Sequence, residues 1–89
     1  MHLVAVTLTS PDPVPLRLTP AAVTDLIWLH SRPEDRVEHL RARVDADRCR
    51  IAAAVIADTP DAAAASLRRV CERALQHVPA LRGWRLALV

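Results

Sequence analysis

Four stretches of the chain predict strands, two as largely apolar runs and two by alternation of apolar residues with other residues. His2 to Thr9 is apolar on both sides, which is typical of a central strand. Val37 to Val44 alternates cleanly and predicts a strand buried on one face only. Cys49 to Ala57 is the most apolar run, and its Ile and Val favour a second central strand, although its alanines also fit a helix. Trp84 to Val89 alternates again and predicts the last strand.

Two helices are predicted, each from a threonine followed by a proline. A threonine hydroxyl can cap a helix, and proline is favoured at the first helical position. Thr19 therefore starts a helix over about Pro20 to Ser31, where apolar residues recur at helical spacing. Thr59 starts a second helix, which Pro79 ends and which has a clear apolar stripe opposite an arginine-rich side.

The connecting segments carry turn residues. Ser10 to Pro15 contains three prolines and predicts an extended loop or a hinge. Glu34 to Arg36 is expected to be a solvated turn after the first helix. Asp45 to Arg48 supplies turn residues between two strands, so these strands should form a hairpin.

The resulting order, βαββαβ, has two halves that each open with a strand and use a ThrPro-started helix. This order resembles the ferredoxin-like split βαβ arrangement. The resemblance implies an α+β two-layer sandwich in one domain over 1–89, with a four-stranded antiparallel sheet and two helices on one face. The first and third strands would be central. The resemblance is topological and implies no activity.

One face of such a sheet stays uncovered by the helices. Its middle would be made of small apolar residues, and arginines would border it, a combination poorly suited to bare water. On this pattern the apolar residues of the open face are Leu3, Ala5, Ala52, Ala54, Ile56, Ala87 and Val89. The residues expected to bind a partner or an anionic ligand are His39, Arg41, Arg43, Arg50, Ala52, Ala54 and Arg85.

Composition favours a protein partner for that face. The apolar fraction is 52%, a surplus that self-association would hide. A second copy of the chain, meeting sheet on sheet or along edge strands, or a larger protein is therefore expected. Trp28 and Trp84 are the only aromatic residues besides histidine, and the formal charge is only +2, which together argue against nucleic-acid binding. All 12 basic residues are Arg, as codon bias in a GC-rich bacterial genome would produce.

The first residues lack a basic region and a long apolar run, so we expect a cytoplasmic protein without a membrane segment. Cys49 and Cys71 both point toward the predicted core and are expected to be free, buried thiols. His30 near a helix end fits a structural role, whereas His39 among arginines is the better functional candidate. Histidines and cysteines are scattered, so no metal or other cofactor is expected.

Chemistries known for this fold lack their residues here. A metal chaperone would need a CysXXCys motif after the first strand, and an acylphosphatase would need a glycine-rich anion loop there, but Gly83 is the only glycine. RNA-recognition modules would need aromatic residues where Ala52 and Ala54 stand. We therefore expect a small non-catalytic accessory or regulatory module that dimerises or docks through the open face. The alternative is a binder or enzyme of the dimeric α/β-barrel sort, acting on a small anionic ligand.

Overall fold

The computed structural model describes residues 1–10, 18–45 and 47–87. Within these ranges the strands and helices follow one another in the order βαββαβ. The strands are β1 (His2–Thr9), β2 (Val37–Val44), β3 (Arg48–Val55) and β4 (Arg85–Leu86), and the helices are α1 (Pro20–Leu29) and α2 (Pro60–His77). Single 3-10 turns at Pro33–Asp35 and Pro79–Leu81 follow the two helices.

The sheet has the strand order β2-β3-β1-β4, and every neighbouring pair is antiparallel. The two strands predicted to be central, β1 and β3, are central. The order and the layers confirm the ferredoxin-like α+β two-layer fold. The alanine-rich run in the middle of the sequence is a strand and not a helix, because both of its edges are paired, with β1 on one side and β2 on the other.

Both helices begin where the ThrPro pairs predict. The Thr19 hydroxyl accepts a hydrogen bond from the Ala22 N–H at 3.1 Å, and the Thr59 hydroxyl accepts one from the Ala62 N–H at 3.1 Å. Each contact satisfies one of the backbone donors that a helix start leaves free, and such a cap contributes about 1 kcal/mol. In both helices proline follows the capping threonine.

The core lies between the helices and the inner face of the sheet. Along β3 the odd-numbered residues from Cys49 to Val55 are buried, and along α2 the apolar stripe that includes Leu67, Val70 and Cys71 is buried. Helix α1 contributes Val23 and Ile27. The buried side chains of β3, which follow a period of two, therefore pack against those of α2, which follow the helical period, in one apolar layer.

Several boundaries differ from the predictions. Helix α1 ends at Leu29, because the His30 N–H turns back to the Ile27 carbonyl oxygen at 3.0 Å. The predicted last strand begins one residue late, at Arg85, since the Trp84 N–H is bonded within the preceding turn, to the Leu81 carbonyl oxygen at 3.0 Å. Within the described residues the strand is Arg85–Leu86, and the predicted members Leu88 and Val89 lie outside them. The proline-rich loop or hinge predicted for Ser10 to Pro15 lies, except for its first residue, outside the described residues.

Candidate interaction surface on the open sheet face

The strand register arranges the residues of the open face, opposite the helices, in four rows that cross the sheet. From one end to the other the rows are His39, Ala54 and Leu3; Arg41, Ala52 and Ala5; Arg43, Arg50 and Thr7; and Arg48, Thr9 and Arg85. We call the first two rows the apolar end and the last two rows the basic end. The face therefore changes from mostly apolar to mostly basic along the strand direction, a change that β3 alone already shows from Ala54 and Ala52 to Arg50 and Arg48, while β2 adds Arg41 to the apolar end.

The basic end contains a pair of like charges. Arg43 on β2 and Arg50 on β3 are direct partners across the strands, and both are exposed. Like charges in directly opposite positions destabilise a strand pair. Within the described residues, every salt bridge involves Asp35, which lies outside this face, so the arginines of the basic end have no acidic partner there. The arrangement costs stability and exposes several guanidinium groups on one surface.

The apolar end contains a shallow depression of about 240 Å³. Its lining includes Leu3, His39, Arg41, Ala52 and Ala54. The Leu3 side chain is 87% exposed, while Ala54, in the same row, is buried although it points away from the helices. Small alanine side chains on β3 leave this space, and the larger residues on β1 and β2 form its walls. An apolar side chain of a partner would fit there.

All seven residues singled out from the sequence lie on this face. Arg48 is a further member that the sequence analysis missed, because the predicted strand began one residue later; its even number, like that of Arg50, is the signal that places it here. Ile56 was assigned to this face and is not part of it. It follows the end of β3 and lines a different cleft, beside Trp28. Of the predicted apolar members, Val89 lies outside the described residues.

The histidines divide between two places. His39 lies on the apolar end of the open face, as expected. His30 caps the C-terminus of α1, and His77 lies in the last turn of α2; their rings stack with centroids 5.8 Å apart and planes 14° apart. The sequence places each of them at a helix end, but only the packing of the helices brings the two rings together.

The cysteines are core residues, as predicted. Cys49 and Cys71 are free thiols with no exposed surface. Burial raises the pKa of Cys49 from 9.0 to about 11. Burial, with smaller contributions from Cys49 and Glu72, raises the pKa of Cys71 from 9.0 to about 12. Because the thiolate is the nucleophilic form, both side chains are poorly suited to covalent catalysis at neutral pH.

The turn predicted to be solvated contains a buried charge instead. Asp35 is only 3% exposed, and its carboxylate forms a salt bridge with Arg73 of α2. The same carboxylate accepts a hydrogen bond from the Arg32 N–H at 2.9 Å, and the Asp35 carbonyl oxygen accepts one from the Ser66 hydroxyl at 2.5 Å. The expectation failed because Ser66 and Arg73 lie on α2, more than 30 residues along the chain.

Within the described ranges, no three His, Cys, Asp or Glu side chains come together as metal ligands, and no helix has the length and apolarity to cross a bilayer. No known family model, curated protein or solved structure matches this chain.

Proposed function

We propose that the protein is a non-catalytic docking module whose open sheet face binds an acidic segment of a larger protein. The observation that carries the proposal is the directly opposed pair Arg43 and Arg50, which lies on a face that turns apolar within two rows. Such a pair lowers the stability of the free protein and gains a favourable interaction when carboxylates of a partner lie between the two guanidinium groups.

The charge of the face favours an acidic partner over a second copy of the chain. A second copy stacked on this face would bring the same arginines into the interface. Burying charges without partners is costly, whereas arginine and carboxylate groups form short, bidentate hydrogen bonds. The depression at the apolar end would take an apolar side chain, so the expected segment combines a bulky apolar residue with acidic residues about two or three strand positions away.

The test is capture of the partner, followed by measurement of its affinity. Immobilised wild-type protein and the double variant Arg43→Glu with Arg50→Glu are compared in an extract of the native host, and a protein retained only by the wild type is identified and purified. Calorimetry should then show that the double charge reversal weakens binding at least about tenfold. Replacing the acidic residues of the partner by arginine should restore binding to the double variant.

Arg82→Glu is the matched control, because Arg82 is exposed but belongs to the loop before β4. It should leave the affinity unchanged. Equal binding by wild type and by the double variant would refute the proposal. So would a wild-type dimer, seen by analytical ultracentrifugation, that the apolar-end substitution Ala52→Arg dissociates, since the face would then be occupied by a second copy.

A second candidate is a site for a small anionic ligand, enclosed between the sheets of two copies. The depression beside His39 and Arg41 supports it, because a second sheet would close that space. Citrate and inorganic phosphate serve as probes in thermal unfolding, since a ligand that binds only the folded protein raises its melting temperature. A rise that Arg41→Gln abolishes, in a protein of dimeric mass, would favour this candidate over the docking module.

A further inference from the structure

We propose a second binding site, for a small carboxylate with an apolar body, in the cleft between the end of α1 and the start of β2. The cleft has a volume of about 510 Å³, which is within the range of small-molecule sites. It lies at the end of the sheet and shares no lining residue with the depression on the open face. The lining residues that matter here are Trp28, Arg32, Arg36, Val37, Glu38 and Ile56.

One wall of the cleft is apolar. Trp28 and Ile56 line the cleft and are each 39% exposed. Val37 also lines the cleft and is half-buried. Two large, partly exposed side chains on one concave surface provide the contact area that an aromatic or branched aliphatic body needs.

The rim of the cleft is charged. It carries two guanidinium groups, Arg32 and Arg36, and one carboxylate, Glu38. Arginine recognises a carboxylate through two parallel hydrogen bonds, so an acid with an apolar body matches both the wall and the rim. The Glu38 carboxylate repels a negative ligand. Removing its charge should therefore strengthen binding, whereas removing either arginine should weaken it.

The backbone of the cleft wall is irregular at two neighbouring places. Arg36 has φ 54° and ψ 39°, and it is the only residue other than glycine with positive φ in the described part of the chain. The pairing of β2 with β3 shifts register between Val37 and His39, which places Glu38 in a bulge. Left-handed residues and bulges cost free energy and concentrate where side chains must be directed at a ligand.

Contacts to α2 and β3 hold this irregular segment in place. The buried salt bridge between Asp35 and Arg73 fixes the turn that separates Arg32 from Arg36. The Ile56 N–H donates to the Arg36 carbonyl oxygen at 3.0 Å, which joins the turn to the end of β3. Both arginines are therefore presented by a fixed backbone, and less conformational entropy is lost on binding.

The two tryptophans make the test simple. Trp28 lines the cleft, and Trp84 is buried in the core, only 9% exposed. Phenylacetate is titrated into 15N-labelled protein, and phenylacetamide is the uncharged control. The Trp28 indole N–H resonance should shift with saturation in the millimolar range, an affinity of about 4 kcal/mol, while the Trp84 resonance stays in place. Phenylacetamide should bind at least about threefold more weakly.

Three variants sharpen the result. Arg36→Gly keeps the left-handed backbone, which glycine adopts freely, and it should weaken phenylacetate binding about three- to fivefold. Arg32→Gln should do the same, while Glu38→Gln should strengthen binding by a similar factor. Arg82→Gln is the control and should have no effect.

Three results would overturn the proposal: an unmoved Trp28 resonance, equal binding of acid and amide, or weaker binding in Glu38→Gln. The site is independent of the docking face. The double variant Arg43→Glu with Arg50→Glu should bind phenylacetate like the wild type, so failure of one proposal leaves the other standing.

Discussion

The two faces of β3 differ in whether their polar groups are buried or exposed. The inner face carries Cys49, Ile51 and Val55 with no exposed surface, and the outer face carries Arg48 and Arg50, which are exposed. In the described core the thiols keep their protons, and the Asp35 carboxylate contacts the Arg73 guanidinium, whose Nε alone has no hydrogen-bond partner. On the outer face, Arg43 lies directly opposite Arg50, and neither forms a salt bridge with an acidic residue in the described part of the chain.

This difference separates groups that stabilise the fold from groups available for binding. A polar group inside must be satisfied because leaving it unpaired costs several kcal/mol. A charge outside can stay unpaired at a small cost, because water screens it. Changes inside should therefore alter the free energy of unfolding strongly, whereas changes outside should alter it little and act on association.

The largest expected effect is alkaline destabilisation through the two thiols. Because burial raises the pKa of Cys49 from 9.0 to about 11 and that of Cys71 from 9.0 to about 12, the unfolded chain loses these protons first. The stabilisation is complete below pH 9 and is lost as the pH rises toward those values. The free energy of unfolding, measured in urea, should fall by about 1.4 kcal/mol per pH unit for each thiol.

Because of the amino-acid composition, a change in stability between pH 9 and 11 reports on the two thiols. The chain has no Tyr and its basic residues are all Arg, so no other residue type in it has a reference pKa between 9 and 11. The double variant Cys49→Ala with Cys71→Ala is the control: it should be less stable at pH 7, but its stability should be level across the window. A level profile in the wild type would contradict the burial of the thiols.

The next effect comes from the buried salt bridge. Asp35→Ala leaves Arg73 without its partner and should lower the free energy of unfolding by about 3 kcal/mol. The double variant Asp35→Leu with Arg73→Met removes both charges and should lose less than Asp35→Ala alone. Urea midpoints with unchanged slopes measure both losses.

Glu34→Ala is the matched control, because Glu34 is an exposed acid in the same turn. It should change stability by less than about 0.5 kcal/mol. If Asp35→Ala were equally harmless, the turn would be solvated, as the sequence suggested.

The smallest effect is expected on the outer face. Arg43→Gln removes the like charge opposite Arg50 and should raise the free energy of unfolding by about 0.3 kcal/mol at low salt. The gain should disappear at about 1 M salt, where the screening length falls to about 3 Å. Arg82→Gln should show no such gain. A loss of stability in Arg43→Gln would mean that Arg43 has an acidic partner.

Local signals were enough to predict most of the secondary structure. The ThrPro pairs marked both helix starts, and the alternation of β2 predicted its bounds, Val37–Val44, without error. The end of α1 and the start of β4 were missed, because a turn hydrogen bond at His30 ends the helix early and one at Trp84 delays the strand. Such bonds leave no mark on the pattern of apolar and polar residues.

Local signals also predicted most residues of the open face. Alternation alone placed Arg41, Arg43 and Arg50 on it, because side chains in a strand point to opposite faces in turn. Arg48 was missed with the first residue of β3, and Ile56 was misplaced because the strand ends before it. An error in a boundary thus became an error in the membership of the site.

By itself, the sequence determined the order of the elements, the face to which most strand residues belong and the identity of the core stripe in α2, because these depend on neighbours a few residues away. Only the tertiary structure decided that Arg43 lies opposite Arg50, that Asp35 meets Arg73, and that Trp28 and Ile56 border one cleft. These contacts join residues far apart in the chain. They depend on strand register and helix packing, which are set by the whole fold.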